Sequence, residues 1–270
     1  MQDLPRKVGL AALLAAAVAA AAPAPRRTFT PWDGTPPPPP PPSKDLFEQG
    51  ARVYRGACLG CHGEKGDGQG REGKLLAIPP RDFITVNCIS RSTPSGSLPT
   101  PADLFRSIRR GFKPSVGMPA FTFLSDREVW AVIAHLTTLS PRWKSEPVPP
   151  PIEIPPPPRR TPELVKAGEA VYRATGCAAC HGEEGKGDGP SAAALTYDNG
   201  KPIPPANFWR PEDFKGGTRP GDVFRTLTTG MDGTPMPAFG EVLTAEQRWQ
   251  LAFWIISLGE QAVRGPQASR

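Results

Sequence analysis

Cysteine is scarce in this chain. Five occur in 270 residues: Cys58, Cys61, Cys88, Cys177 and Cys180. Four of them form two close pairs, which leaves no material for a disulfide framework. Histidine and methionine are rarer still, at three and four residues. Long apolar runs are missing beyond the first two dozen residues, so no later segment approaches the ~20 residues a membrane-spanning helix needs. No nucleic-acid signature is present, and the basic residues are scattered rather than clustered. The glycine-rich run from Gly63 to Gly70 fits neither the phosphate-loop nor the dinucleotide spacing, and no strand pattern precedes it. It reads as a tight loop that lets backbone pass close to a bound group.

Proline is what the chain has in excess, 37 residues, and it is clustered. The clusters divide the chain. Residues 1–24 read as an export signal: Arg6 and Lys7, then the uncharged run Val8 to Ala22, then the small residues Ala22-Pro23-Ala24. Residues 25–42 form a spacer that ends in seven consecutive prolines from Pro36. Residues 143–160 form a second proline-rich segment. At ~3.1 Å per residue in extended form it could hold its two flanks up to roughly 60 Å apart, or lie along a domain surface. Two domains are expected between these breaks, over 43–142 and 161–262, with a tail at 263–270.

The two domains repeat each other at an offset near 119 residues. Cys58-Leu59-Gly60-Cys61-His62 is answered by Cys177-Ala178-Ala179-Cys180-His181. Two thiols three positions apart with a histidine directly after the second is the attachment pattern of c-type haem. The thiols bond to the haem vinyl groups and the histidine stands beneath the iron. Met118-Pro119-Ala120-Phe121 is answered by Met236-Pro237-Ala238-Phe239, with 55 and 54 residues separating histidine from methionine. Helices are expected to start at Ser43, at Pro101 behind a Thr100 cap, and at Ser125 with Glu128 in a capping box. Thr244 with Gln247 forms the twin of that box. Zinc is disfavoured, because each half offers only two cysteines and an adjacent histidine where four converging ligands are wanted.

Each half therefore resembles a class I cytochrome c domain, over about 44–140 and 162–260. The resemblance implies an all-α fold of two tandem class I cytochrome c domains joined by a proline-rich linker. It implies two covalently bound haem c groups, attached through Cys58, Cys61, Cys177 and Cys180. It implies axial iron ligation by His62 with Met118 and by His181 with Met236. Thioether sulfur favours ferrous iron and raises the potential. With both axial positions filled, such centres pass electrons rather than bind small molecules. The expected role is a periplasmic dihaem carrier, not an enzyme. It would shuttle single electrons from a donor dehydrogenase or quinol-oxidising complex to a terminal oxidase or reductase. Its partners would be redox proteins, including a membrane-bound respiratory complex, and not nucleic acid. Membrane association would come through a partner or an uncleaved signal.

Three residues stand outside this scheme. Met231 has no methionine counterpart in the first half and reads as packing. His135 sits where the second half has Trp254, so it reads as structural. Cys88 reads as a small inert thiol. It also keeps an enzymatic alternative open, a thiosulfate-oxidising type with Cys88 as a haem ligand, beside a peroxidase type that needs an iron site able to open. Charge is uneven between the halves. Residues 43–142 hold 14 Lys and Arg against 9 Asp and Glu, whereas residues 161–270 hold 11 against 13. An acidic partner for the first half follows as an expectation, with Arg109 and Arg110 as its docking charges.

Overall fold

The computed structural model describes residues 34–76, 78, 80–112 and 117–264. The export signal expected at 1–24 lies outside them, as do part of the spacer and most of the tail. The described residues contain nine α-helices, three short 3-10 turns and no strand beyond two isolated bridges. None of these helices is long and apolar enough to cross a membrane.

In the first half the helices are α1 (Lys44–Ala57), α2 (Leu59–His62), α3 (Pro101–Arg110), α4 (Asp126–Leu139) and α5 (Arg142–Ser145). In the second they are α6 (Pro162–Ala174), α7 (Ala178–His181), α8 (Pro220–Thr229) and α9 (Ala245–Arg264). The caps explain the starts. Ser43 accepts from the Leu46 amide, and Thr100 and Ser125 close reciprocal capping boxes with Asp103 and Glu128. Thr244 and Gln247 exchange the same pair of bonds ahead of α9. Each satisfied cap is worth on the order of 1 kcal/mol.

The apolar spacing decides which faces meet. On α1 the buried residues are Leu46, Gly50 and Tyr54, one per turn, and that stripe crosses α4. The crossing is so close that a Cβ on Gly50 would stand 2.0 Å from the Ala131 carbonyl oxygen. Its twin, Gly168 on α6, stands in the same relation to the Gln250 carbonyl oxygen of α9. Next to each glycine an aromatic pair seals the crossing. Tyr54 and His135 lie 5.0 Å apart in one half, and Tyr172 and Trp254 lie 4.4 Å apart in the other. Behind them Phe105 packs on Trp130 and Phe224 on Trp249, at 4.8 and 4.4 Å.

His135 thus fills the place of a tryptophan. Burial holds its imidazole below the ordinary value of 6.5, helped by the nearby Arg55 charge. A lowered folded value means that the fold favours the neutral ring. The stability this brings is present above about 6.5 and is lost as pH falls below it. His135→Trp is expected to remove that loss. The variant should gain melting temperature over the wild type at acid pH and gain less at neutral pH, as thermal scans at the two conditions will show.

The two halves pack against each other. Arg91, 1% exposed, crosses the seam to Asp232 at 2.8 Å and to the Thr229 carbonyl at 2.7 Å. Asp232 also accepts from Ser95 and from the Gly96 amide. Asp198 accepts from Asn87 at 2.9 Å. Ile89 joins Tyr197 and Ile203 in an apolar cluster that takes in Ile78, Leu195 and Met231. The proline-rich segment is laid along this body rather than stretched between its halves: the Ile152 amide donates to the Ser92 carbonyl at 2.7 Å, and Arg160 pairs with Glu260 at 2.7 Å. Asp232→Ala leaves a buried guanidinium unpaired. It is expected to cost about 3 kcal/mol and to speed proteolytic cutting within 143–160.

The expected docking charges are corrected by this packing. Arg109 is 9% exposed. It donates to the carbonyls of Phe121 and Leu124 and pairs with Asp126. Arg110 turns into the seam, 3.3 Å from Asp222. Both hold the fold together instead of presenting charge to a partner.

Candidate functional site

The two thiol pairs lie at the ends of α1 and α6, where the chain turns straight into the short helices α2 and α7. The turn is held by backbone bonds. The His62 amide donates to the Cys58 carbonyl at 2.8 Å and the His181 amide to the Cys177 carbonyl at 2.9 Å. A tyrosine one turn back locks the exit: Tyr54 Oη donates to the Gly63 carbonyl at 2.7 Å and Tyr172 Oη to the Gly182 carbonyl at 2.5 Å. Burial is the main reason that the thiols are hard to ionise. Cys58 is pushed up to about 12 and Cys177 to about 11.

Both histidines are oriented in one way. His62 Nδ1 lies 3.1 Å from the Arg81 carbonyl and His181 Nδ1 lies 3.0 Å from the Ala206 carbonyl. A carbonyl can only accept, so Nδ1 carries the hydrogen and donates it. That leaves the Nε2 lone pair free for a metal. Each ring is also stacked on a phenylalanine, Phe83 at 4.2 Å and Phe208 at 4.5 Å. Burial lowers the basicity of both imidazoles, against a smaller opposing pull from the carbonyls.

The methionine loops are pinned by their backbones. The Met118 carbonyl accepts from the Phe112 amide at 2.9 Å, and the Phe121 amide donates to the Ile108 carbonyl at 3.1 Å. The Met236 carbonyl accepts from the Met231 amide at 3.1 Å, and the Phe239 amide donates to the Leu227 carbonyl at 2.8 Å. The loops can lie this close because Gly111 and Gly230 end α3 and α8 at φ 64°. A Cβ there would meet the Pro119 or Pro237 backbone at 2.5 or 2.7 Å. Met231 therefore occupies the place of Phe112, a positional counterpart that a comparison of methionines alone misses.

In the second half these parts converge. Cys177, Cys180, His181 and Met236 line one cavity of about 410 Å³, together with apolar side chains such as Leu227 and Leu251. A planar apolar macrocycle with a metal at its centre fits these walls. The thiols and imidazole come from the turn that follows α6, and the methionine comes from the loop that follows α8. In the first half the same hydrogen bonds fix Cys58, Cys61, His62 and Met118 in matching places. Residues 113–116, beside that methionine loop in sequence, lie outside the described residues.

Cys88 sits at the seam, where its carbonyl accepts from Arg91 at 3.3 Å. Burial, and then the Asp103 charge, push its thiol up to about 12. A thiol held protonated in this way is a poor nucleophile and a poor metal ligand.

An all-helical body made of two such units is a tandem of class I cytochrome c domains. The comparisons with known proteins make the class specific. The family described as cytochrome c oxidase, cbb3-type, subunit III, matches residues 45–136 and again 163–255, and the chain belongs to it. A chain from the reducing HAO-like protein complex of Kuenenia stuttgartiensis is similar in structure, with a TM-score of 0.75 and 38% identity. The match covers 78% of this chain and 96% of that one. Among curated proteins no match is found. Membership implies electron transfer through covalently bound haem c.

Proposed function

We propose that this chain is a periplasmic dihaem electron-transfer protein that relays single electrons between larger redox proteins. One haem c would be attached at Cys58 and Cys61 and ligated by His62 and Met118. The other would be attached at Cys177 and Cys180 and ligated by His181 and Met236. The observation that carries this reading is the single cavity lined by Cys177, Cys180, His181 and Met236, with His181 Nδ1 already engaged so that Nε2 can face the cavity. The duplicated hydrogen bonds extend it to the first half.

The chain's residues do four things for such a group. The thiols would anchor it, the carbonyl-held imidazoles would orient it, the methionines of the loops after α3 and α8 would complete its ligand set, and the apolar walls would keep water from it. When bound, haem supplies a one-electron couple. A centre ligated on both sides changes little in structure on reduction, which favours rapid transfer. The likeness to a chain of an HAO-like complex supports work as a relay subunit docked on a larger oxidoreductase, whose donor or acceptor it serves.

Intact mass and spectra of the purified protein test this reading. Two covalent haems and two low-spin ferric signals with a methionine-to-iron charge-transfer band are expected. A single haem, or a high-spin centre that takes up cyanide readily, would overturn it. Export is tested separately, by fractionation of cells and sequencing of the mature N-terminus.

A further inference from the structure

The two halves run in register from the first thiol to the end of a 3-10 turn, at Leu76 and Leu195. They then part. Phe83 follows Leu76 by seven positions, whereas Phe208 follows Leu195 by 13. The six extra residues of the second half form a small hairpin. The Ile203 amide donates to the Leu195 carbonyl at 3.0 Å, and the Tyr197 amide donates to the Lys201 carbonyl at 2.8 Å. Leu195 and Ile203, at its base, line the second cavity, but Tyr197 and Asp198 do not. These two turn to the seam.

There they meet one side chain of the first half. Arg81 Nη1 lies 3.4 Å from Asp198, and the guanidinium carbon stands 5.0 Å from the centre of the Tyr197 ring. Arg81 Nη2 and Tyr197 Oη are buried in this contact and bond to nothing. A Cβ on Gly233 would stand 2.5 Å from Nη1, so that glycine leaves the room the guanidinium fills. The Gly233 carbonyl also takes the Asp198 amide at 3.1 Å, which ties the hairpin to the same loop. A guanidinium enclosed in this way cannot swing freely.

Arg81 also holds the first histidine, because its carbonyl accepts from His62 Nδ1 at 3.1 Å. The matching acceptor in the second half is the Ala206 carbonyl, and alanine has no side chain long enough to be tethered. Both carbonyls share one local support. The Phe83 amide donates to the Gly66 carbonyl at 2.6 Å, and the Phe208 amide donates to the Gly185 carbonyl at 2.7 Å. The anchor through the side chain exists in the first half alone. We propose that Tyr197 and Asp198 of the second half are positioning residues for His62, acting through Arg81, so that docking of the halves tightens the hydrogen bond on the first histidine and lowers the potential of the first centre. The inference rests on the dihaem reading above. Stronger donation from Nδ1 makes the imidazole a more basic ligand, which favours ferric iron, and hydrogen bonding behind the ligand is one of the protein's levers on a haem potential. The second centre, whose histidine leans on Ala206, lacks this control.

The chain has only three histidines, so isotopic labelling of histidine nitrogen lets NMR of the reduced holoprotein follow each imidazole. The readout is the exchange of each Nδ1 hydrogen with solvent, which reports local opening. Arg81→Leu keeps the carbonyl and removes both seam contacts. It is expected to speed exchange at His62 about tenfold, in line with the loss of one hydrogen bond, and to leave His181 unchanged. In a spectroelectrochemical titration it should raise the wave of the first centre, which Met118→His identifies by moving it alone. Loss of a positive charge by itself would lower that wave, so the sign separates positioning from charge. Asp198→Asn should speed exchange at His62 more weakly. Arg81→Lys, which can still reach Asp198, should stay near the wild type. If Arg81→Leu does not take up both haems, exchange in Asp198→Asn decides. Unchanged exchange at His62, equal gains at His62 and His181, or a fall of the first wave in Arg81→Leu would overturn the inference. Failure of the dihaem reading itself would already show in the wild-type mass and spectra.

Discussion

Under the proposed dihaem ligation, Met236→Ala is expected to convert one haem from low-spin to high-spin in the ferric state while the other stays unchanged. Met118→Ala should do the same to its own centre. The affected potential should fall on the order of 0.1 V or more, within the ~0.8 V that axial ligands command, because ferric iron loses a soft ligand that favoured its reduced form. The reason to expect a local effect is the loop backbone. The carbonyl of Met236 is held by the Met231 amide, and the Phe239 amide is held by the Leu227 carbonyl. Neither bond uses the thioether, so the loop keeps its place when the side chain is cut back. Met231→Leu is the control. Its side chain belongs to the seam cluster, and both spectra should persist. EPR and redox titration of the three variants decide the matter, and a low-spin, cyanide-resistant second haem in Met236→Ala would mean that another residue is the ligand.

The halves were legible in the sequence because their signals are local and occur twice. Thiol spacing, the Met-Pro-Ala-Phe loops and the caps at Thr100, Ser125 and Thr244 all report on a few neighbouring residues. The offset between the copies turned each weak sign into a pair. The substitution of Trp254 for His135 marked a packing position for the same reason, and the structure places both rings against the equivalent tyrosine. What joins the halves was not legible, because nothing in it is repeated. Arg91 meets Asp232, Arg110 meets Asp222, and Arg81 reaches Tyr197 and Asp198. Each contact spans more than 100 positions and carries no period. Arg109 and Arg110 stood at the end of a helix, where exposed charge is the ordinary expectation, and only the tertiary contacts show that one is buried and the other faces the second half. The proline-rich linker likewise set an upper bound on separation but no position.

Gly168→Ala is expected to disable the second half altogether, and Gly50→Ala the first. These are conservative changes at helix positions where alanine is the better helix former by ~1 kcal/mol, so intrinsic propensity predicts a gain. The crossing predicts the reverse, and it wins. The new methyl would lie 2.0 Å from a backbone oxygen, that of Gln250 or Ala131, with the Cβ of Trp254 or His135 at 2.8 or 3.0 Å. No rotamer relieves a clash between a Cβ and a carbonyl. The helices themselves must separate, and the apolar faces of α1 and α4, or α6 and α9, separate with them. Overpacking of this kind costs about 3 kcal/mol or more. It also moves the Cys-x-x-Cys-His turn, which begins where α1 and α6 end, so haem content should drop by one per variant as intact mass measures it. Gly56→Ala separates the two effects. Gly56 lies in α1 with nothing within 4 Å of an added Cβ, so there propensity acts alone. That variant should melt higher than the wild type and keep both haems. Melting curves and mass spectra of the three proteins would give opposite signs for one chemical change, set by whether a second helix lies against the glycine.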